Sequence, residues 1–506
     1  MEVLRIQTDV VIIGGGGAGC RAAVEVVAFT ACDRMLDLER YGVEFRKYDD
    51  GRFFQTPMPG QTYPRSCFMM ENGQHMSTVL AKQSARHDNV RVLKDFFAYG
   101  LLRSGTSVVG VVGMDMLGGR IVAVQAKATI LASGGYTSLW GFSDNPPTLT
   151  GETLAMAYRA GADLVDLEFN QYYGTDVIWP PSVRGTVVLY ELMIEELADG
   201  EIIDREGNPI IQKPLPIRDD AIKTIFQTVS SGKGTEHGGV YFDTTKSPKG
   251  EAKVREVFET MTPKHYQFII DAAGIGLAKV PLEVAPASHY QCGGIFINER
   301  GQSTMDGLYA CGECAGNFQG ANRLAGSALC DTQTMGARAG GCADDDAKGR
   351  QLLPIDEADL GRHVDLMLGR LTKKSNPVRP ITVKETIRST MDTYVAPFRD
   401  RKGMQRGPSI MEGLREELPK LVAPDHKRYN IDLMEAVEAI LMLDTAEATF
   451  RSAMFREESR GHHNRTDFPD TDDQNRRCHT IIARDGDKPK LSKRDVIYTL
   501  LPPEEA

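Results

Sequence analysis

The chain has no run of about 18 apolar residues, so no segment reads as a membrane-spanning helix. It has no basic block of about five or six residues. Acidic side chains outnumber basic ones, 69 to 59, for a formal net charge of −10. That balance argues against general binding to nucleic acid or to an anionic membrane. A local basic pocket stays compatible with it, because net charge does not describe a pocket. No apolar stretch follows Met1-Glu2-Val3-Leu4-Arg5, so no secretory leader is expected. The nine cysteines are scattered and odd in number. They fit reduced thiols in a cytoplasmic setting better than a disulfide framework. No internal repeat and no low-complexity tract is visible.

What is present is an ordinary globular composition, 41% hydrophobic and 25% charged, with 50 glycines in 506 residues. Length alone points to about three domains. Residues 9–13, "DVVII", read as a buried parallel strand. Gly14-x-Gly16-x-x-Gly19 follows, and "CRAAVEVV" (20–27) reads as a helix. Strand, glycine turn and helix are the context in which this spacing cradles a pyrophosphate. The glycines let the backbone approach, and the helix N-terminus offers free N–H groups. Residues 90–131 alternate strand and turn signals and end in a buried strand followed by Ser133-Gly134-Gly135, a second glycine turn. Residues 150–166 read as a helix closed by Gly161. Residues 176–282 are proline-punctuated and mixed, as in an inserted domain. Strand signals return at 284–297 and 305–311, and from about 355 the pattern is helical, with a polar tail over 460–506.

"MDGLYACGECAGNFQGANRLAGSAL" (305–329) resembles the flavin-contacting segment of the fumarate reductase/succinate dehydrogenase flavoprotein family, to which L-aspartate oxidase also belongs. "HYQCGGI" (289–295) resembles that family's substrate-histidine segment. "PIRDDAIKTIF" and "GTEHGGVYFD" resemble its capping domain, "ATILASGG" its second glycine turn, and "REESRGHHNRTDFPDTDDQN" its C-terminal signature. The resemblance covers nearly the whole chain. It implies an α/β fold: a Rossmann-like FAD-binding domain with an inserted α+β capping domain and a C-terminal helical domain. The expected divisions are 1–173 and 284–350 for the FAD-binding domain, 174–283 for the cap, and 351–506 for the helical domain and tail.

The resemblance also implies an oxidoreductase that moves hydride between FAD and a small dicarboxylate of the fumarate type. The cofactor carries the redox chemistry and the protein supplies orientation and charge. An iron–sulfur subunit is the implied partner, with the chain peripheral to a membrane through partner subunits. Expected FAD contacts are Gly14, Gly16, Gly17, Ala18 and Gly19, then Ser133, Gly134 and Gly135, then Glu313, Ser327 and Leu329. Glu313 would accept two ribose hydroxyls, as a carboxylate can. Arg323 in "ANRL" would grip a substrate carboxylate with its planar fork. His289 would contact the same substrate, and Arg218 in "PIRD" would deliver the proton. Standing alone, Arg218 beside Asp219 and Asp220 would read as a surface ion pair. His289 alone could as well be a core histidine. Cys311-x-x-Cys314 lacks a second pair at metal spacing, so no metal is expected. His462-His463 reads as a solvated helix end rather than a ligand pair.

The chain departs from the family in two places. After Arg21-Ala22-Ala23 it passes directly to "DRMLDLERYGVEF", which reads as helix. The family's second strand and the loop beneath the isoalloxazine ring are missing, as after an internal deletion. Glu39 lies on that helix and is not assigned to a ribose. No histidine precedes His75, so covalent flavin attachment has no candidate and FAD is expected to be non-covalent. In the cap, the family's His-Pro-Thr stands as Tyr173-Gly174-Thr175, and the usual threonine–glutamate contact is not visible in "GTVVLYELMIEELADGE". Two alternatives follow: an L-aspartate oxidase, or a flavin-deficient, non-catalytic member of the family.

Overall fold

The structure, a computed structural model, describes residues 3–16, 18, 31–56, 63–70, 72–216, 218–371, 374–486 and 488–497, with backbone only at 31, 56, 72 and 218. The helix read over 20–27, and with it Gly17 and Gly19, lies outside the described residues.

Strand β1 (Leu4–Ile13) contains "DVVII" and starts before it. The alternating segment 90–131 forms β2 (Phe96–Ser104), β3 (Ser107–Asp115) and β4 (Arg120–Leu131). The sheet order is β1–β4–β3–β2. β1 runs parallel to β4, with Ile13 opposite Leu131, while β3 runs antiparallel to it. β4 is the buried centre, rich in Val, Ile and Ala, as a strand covered on both faces must be.

β1 was expected to be buried as well, and it is not. Its residues are intermediate or exposed, and among the described residues no strand pairs with its outer edge. The next described element is helix α1 (Ala31–Tyr41), where Glu39 pairs with Lys47 at 2.5 Å. Among the described residues β1 is therefore an edge strand, with one side of its ladder unpaired.

Helix α2 (Glu152–Ala160) ends at Gly161, whose φ of 111° suits glycine. Strands β5 (Leu164–Val165) and β6 (Asn170–Trp179) follow. β6 joins β7 (Glu201–Ile203), β8 (Val240–Asp243) and β9 (Leu282–Gln291) in an antiparallel sheet of order β6–β9–β8–β7. Helix α3 (Arg218–Thr228) packs on it. This layer has its own apolar core around Tyr190, Ile225, Phe242 and Phe258. The division expected at 283/284 falls within β9. Strand β10 (Gly294–Phe296) comes next, then β11 (Leu308–Ala310), which pairs in parallel with the end of β4, and β12 (Ala315–Gly316).

Helix α4 (Ser327–Gly349) packs on β1 and β4. Helices α5 (Glu357–Leu368), α6 (Pro380–Tyr394) and α7 (Ile431–Phe455) follow. α7 is apolar nearly all round, the pattern of a helix buried among others. Asn430 caps it by accepting the Leu433 N–H at 3.0 Å. The polar tail is not helical. It forms the hairpin β13 (Cys478–Asp485) and β14 (Lys488–Asp495), and β13 adds to β5 in a sheet of order β12–β10–β5–β13–β14.

Candidate functional site

The carboxyl ends of the three parallel strands β1, β4 and β11 meet at one level: Ile13 and Ala310 both lie opposite Leu131. Each strand is followed by a glycine turn. Gly14 has φ +118°, and a Cβ there would strike the Ala132 carbonyl. At Gly135 a Cβ would strike the Glu313 carboxylate, and at Gly312 (φ +69°) it would come within 2.8 Å of the buried Ala18 Cβ. These positions need glycine for close packing of the turns. At Gly15 and Gly16, by contrast, a Cβ would meet nothing within 4 Å among the described residues, which leaves room beside the loop for a diphosphate. Gly134, at φ +88°, completes the second turn, and the Ser133 hydroxyl is hydrogen-bonded to Thr153.

Glu313 is buried among these turns and accepts the Gln291 N–H at 3.0 Å. Burial pushes its carboxyl up to about 7, against the Gln291 N–H and Arg323, which lower it. Asp331 lies in the first turns of α4, where it was not anticipated. Burial, together with the charge on Glu313, pushes it up to about 7. Its Oδ2 is buried with no hydrogen-bond partner among the described residues. Such an acceptor calls for a donor from a bound group. Ser327 opens α4 and donates to the Leu324 carbonyl at 2.5 Å, while Leu329 is exposed beside Gly73. Glycine turns, open loop and orphaned acceptor all fit a dinucleotide.

Both raised carboxyls keep their protons to higher pH when folded than when unfolded. Their share of stability is therefore present below the ordinary carboxylate range and is lost as pH rises toward 7. The FAD-free protein should lose urea resistance between pH 5 and about 7, and Glu313→Gln should flatten that decline. A variant profile parallel to wild type would show that Glu313 does not titrate there.

The second cluster lies where cap and nucleotide-binding layers meet. His289 Nδ1 sits 2.5 Å from Asp144 Oδ2, and its ring lies 5.2 Å from that of Tyr173. Arg323 is buried over the Tyr290 ring, at 4.5 Å. Gln171 Nε2 donates to the Arg323 carbonyl (2.8 Å) and to Asn322 Oδ1 (2.5 Å). Asn322 Nδ2 in turn donates to Asp219 Oδ2 at 2.6 Å. Arg218 opens α3 immediately before Asp219; its side chain lies outside the described residues. Asp219 is thus no surface ion-pair partner, because it ties the start of α3 to the Arg323 loop.

His462 corrects the sequence reading. It and His463 are buried, not solvated. His462 Nδ1 accepts the Tyr172 N–H at 3.4 Å, and Nε2 lies 2.9 Å from Asp219 Oδ1. Burial alone would push Asp219 up, but His462 and Asn322 hold its carboxyl below the usual range. His463 is pushed well below the usual histidine range by burial and neighbouring arginines. In the stretch where the usual threonine–glutamate contact is not visible, a glutamate meets a tyrosine instead. Glu191 is buried in its short turn and accepts from the Tyr173 hydroxyl at 3.4 Å. Cys311 and Cys314 are buried; the Cys314 thiol points at the Leu131 carbonyl, 3.1 Å away. Among the described residues no cluster of His, Cys, Asp or Glu could hold a metal.

Glycine turns at the carboxyl ends of parallel strands, with a buried arginine and a half-buried histidine near the cap sheet, fit the class of dinucleotide-binding oxidoreductases. Known proteins sharpen that class. The family described as FAD binding domain matches residues 24–329, and the one described as fumarate reductase flavoprotein C-term matches 384–506. A fumarate reductase (CoM/CoB) subunit of Methanothermobacter marburgensis is 34% identical over 467 residues, covering 90% of this chain and 82% of its own length. The succinate dehydrogenase flavoprotein subunit of Coxiella burnetii is 28% identical, covering 94% and 83%. The solved structure of Mycobacterium smegmatis Sdh1 in complex with UQ1 superposes with a TM-score of 0.88 at 25% identity, covering 99% of this chain and 96% of that one. The chain belongs to the fumarate reductase/succinate dehydrogenase flavoprotein family and is an FAD-dependent oxidoreductase of that type.

Proposed function

We propose that this chain reduces a fumarate-like enoate, or oxidises the corresponding saturated dicarboxylate, as the flavoprotein component of a complex with an iron–sulfur partner. The observation that carries this reading is the Asp219–Asn322 bond of 2.6 Å. It brings the start of α3, where Arg218 stands, to the loop bearing Arg323. Arg323 binds one substrate carboxylate through its planar fork. His289, oriented by Asp144, donates to the same substrate. Glu191 holds Tyr173 in place beside His289. FAD supplies hydride exchange at its N5 when bound. Arg218 supplies the proton to the neighbouring carbon.

On this reading Gly14, Gly16, Gly17, Ala18 and Gly19 face the diphosphate, with Ser133, Gly134 and Gly135 beside it. Glu313 holds ribose hydroxyls, and Ser327 and Leu329 border the flavin ring. FAD is non-covalent, since no histidine precedes His75. The domains divide as 1–173 with 284–350, 174–283, and 351–506. Among the described residues no helix is long and apolar enough to cross a membrane. We place the chain on the cytoplasmic side, held to any membrane by its partners; the relatives named above are themselves subunits by name.

One observation favours a second reading, a flavin-deficient family member. Among the described residues β1 is an edge, where the resemblance leads one to expect a further strand and half a ribose site. FAD titration of the purified chain separates the two. Saturable binding with flavin absorbance, followed by fumarate reduction from an artificial donor, is expected. No flavin absorbance after reconstitution would overturn the proposal, and oxidation of L-aspartate in place of fumarate reduction would make it an aspartate oxidase.

A further inference from the structure

A cavity of about 700 Å³ opens between β2, α2, α5, α7 and the β13–β14 hairpin. None of its lining residues belongs to the glycine turns or to the His289–Arg323 cluster. Its size is within the usual range for small-molecule sites, roughly 300–1,000 Å³. Its charge runs against that of the chain. Six arginines line it against three carboxylates.

The pairing pattern leaves that excess in place. Asp359 is shared between Arg103 (3.3 Å) and Arg362 (2.7 Å). Asp444 is shared between Arg159 (2.5 Å) and Arg415 (2.9 Å). Glu447 is shared between Arg415 (2.5 Å) and Arg451 (2.6 Å). The sixth, Arg484, lies 5.8 Å over the Tyr158 ring. The carboxylates sit deep, at 6%, 11% and 22% exposure, while Arg362 and Arg415 reach solvent at 61% and 43%. Each acid is thus shared between two guanidinium groups, with Arg415 common to Asp444 and Glu447. His363 adds no charge near pH 7, because burial holds it below the usual histidine range.

Tyr158 and Leu366, both half-buried, add apolar surface to the lining.

We propose that this cavity binds a small phosphorylated polyanion of about nucleotide size, at a site separate from the flavin crevice. Guanidinium forks match phosphate oxygens two at a time. The excess of arginine over carboxylate matches a di- or triphosphate, and Tyr158 and Leu366 offer apolar contact to the organic body.

The test uses the full chain saturated with FAD, so that the diphosphate loop is filled. Tripolyphosphate is titrated by calorimetry at low salt, with tricarballylate as the carboxylate comparator. One saturable site for tripolyphosphate is expected, weakened at least about tenfold by physiological salt and by Arg362→Glu with Arg451→Glu. Arg338→Glu, outside the cavity, should leave it unchanged. Arginine-directed labelling by phenylglyoxal, read by mass spectrometry on the wild type, keeps the test open if the double variant misfolds; tripolyphosphate should protect Arg362 and Arg484. Absence of saturable binding, equal binding in the folded double variant, equally tight tricarballylate, or unprotected arginines would each overturn the proposal.

Discussion

Arg218→Ala should lower fumarate reduction by about two to four orders of magnitude, the range for removing a positioned general acid, while FAD affinity and KM change only a few-fold. The expectation rests on where α3 begins. Asp219 is fixed on one side to Asn322 and on the other to His462, at 2.6 and 2.9 Å. The helix start therefore cannot drift from the Arg323 loop. A guanidinium gives up its proton reluctantly, so it serves as an acid only toward a strongly basic carbon and only if the proton is replaced. Arg218→Lys should retain more rate than alanine and should shift the alkaline limb of the pH–rate profile, because an ammonium titrates lower. Asp219→Asn supplies the contrast. It keeps the Arg218 side chain and loosens the tether, so kcat and KM should change together. Equal kcat in wild type and Arg218→Ala, with FAD bound in both, would remove Arg218 from the chemistry.

The sequence showed most clearly those parts where one residue type is physically forced. Gly14 combines a positive φ with a backbone carbonyl in the way of any Cβ, so the turn announces itself as glycine. β4 is covered on both faces and reads as a mostly apolar run, broken by Gln125 and Lys127. Helix α7 is likewise visible from its composition. What stayed hidden depends on pairings between distant residues. Nothing local to "RGHHN" says that His462 meets Asp219, and nothing in "PIRDD" says that Asp219 is buried. Glu191 sits in a short turn without periodicity.

The β13–β14 hairpin was missed for a different reason. Its outer strand is exposed and carries Lys488, Lys490, Lys493 and Arg494. A charged edge strand looks like a polar tail in composition, although the charges are what keep such an edge from pairing with other chains. The Asp485–Gly486 turn, with φ +62° at the glycine, was the available local signal. β1 shows the converse. Its apolar run is that of a central strand, yet among the described residues it stands at an edge. Local pattern reports what a segment was shaped for, and topology decides what covers it.

Arg456→Ala should cost about 3–5 kcal/mol of folding stability, the range for removing one partner of a buried ion pair. Arg456 is 1% exposed and uses its whole guanidinium. Nε donates to Glu168 at 2.5 Å, Nη1 to Glu458 at 2.8 Å and to the Arg476 carbonyl at 2.9 Å, and Nη2 to the Cys478 carbonyl at 2.8 Å. Its carbon centre lies 4.7 Å over the Phe169 ring. Burial alone would favour losing the charge, but Glu168 and Asp166 raise the guanidinium above its usual range. The residue therefore joins the end of α7, the segment after β5, and the β13 strand that extends the same sheet. Alanine would leave Glu168 buried without its ion-pair partner, while Glu458 keeps Arg460 at 3.0 Å. Against a whole-protein stability of about 5–15 kcal/mol, that is enough to lower the urea midpoint severely. Arg5, paired with Glu357 at 2.7 Å on the surface, provides the control: Arg5→Ala should cost about 1 kcal/mol or less. Comparable losses in the two variants, followed by circular dichroism at matched FAD, would show that the Arg456 network adds no more than a solvated pair. Because Arg456 holds the sheet beside the cap rather than the substrate, any FAD-loaded fraction of Arg456→Ala that stays folded should turn over at close to the wild-type kcat.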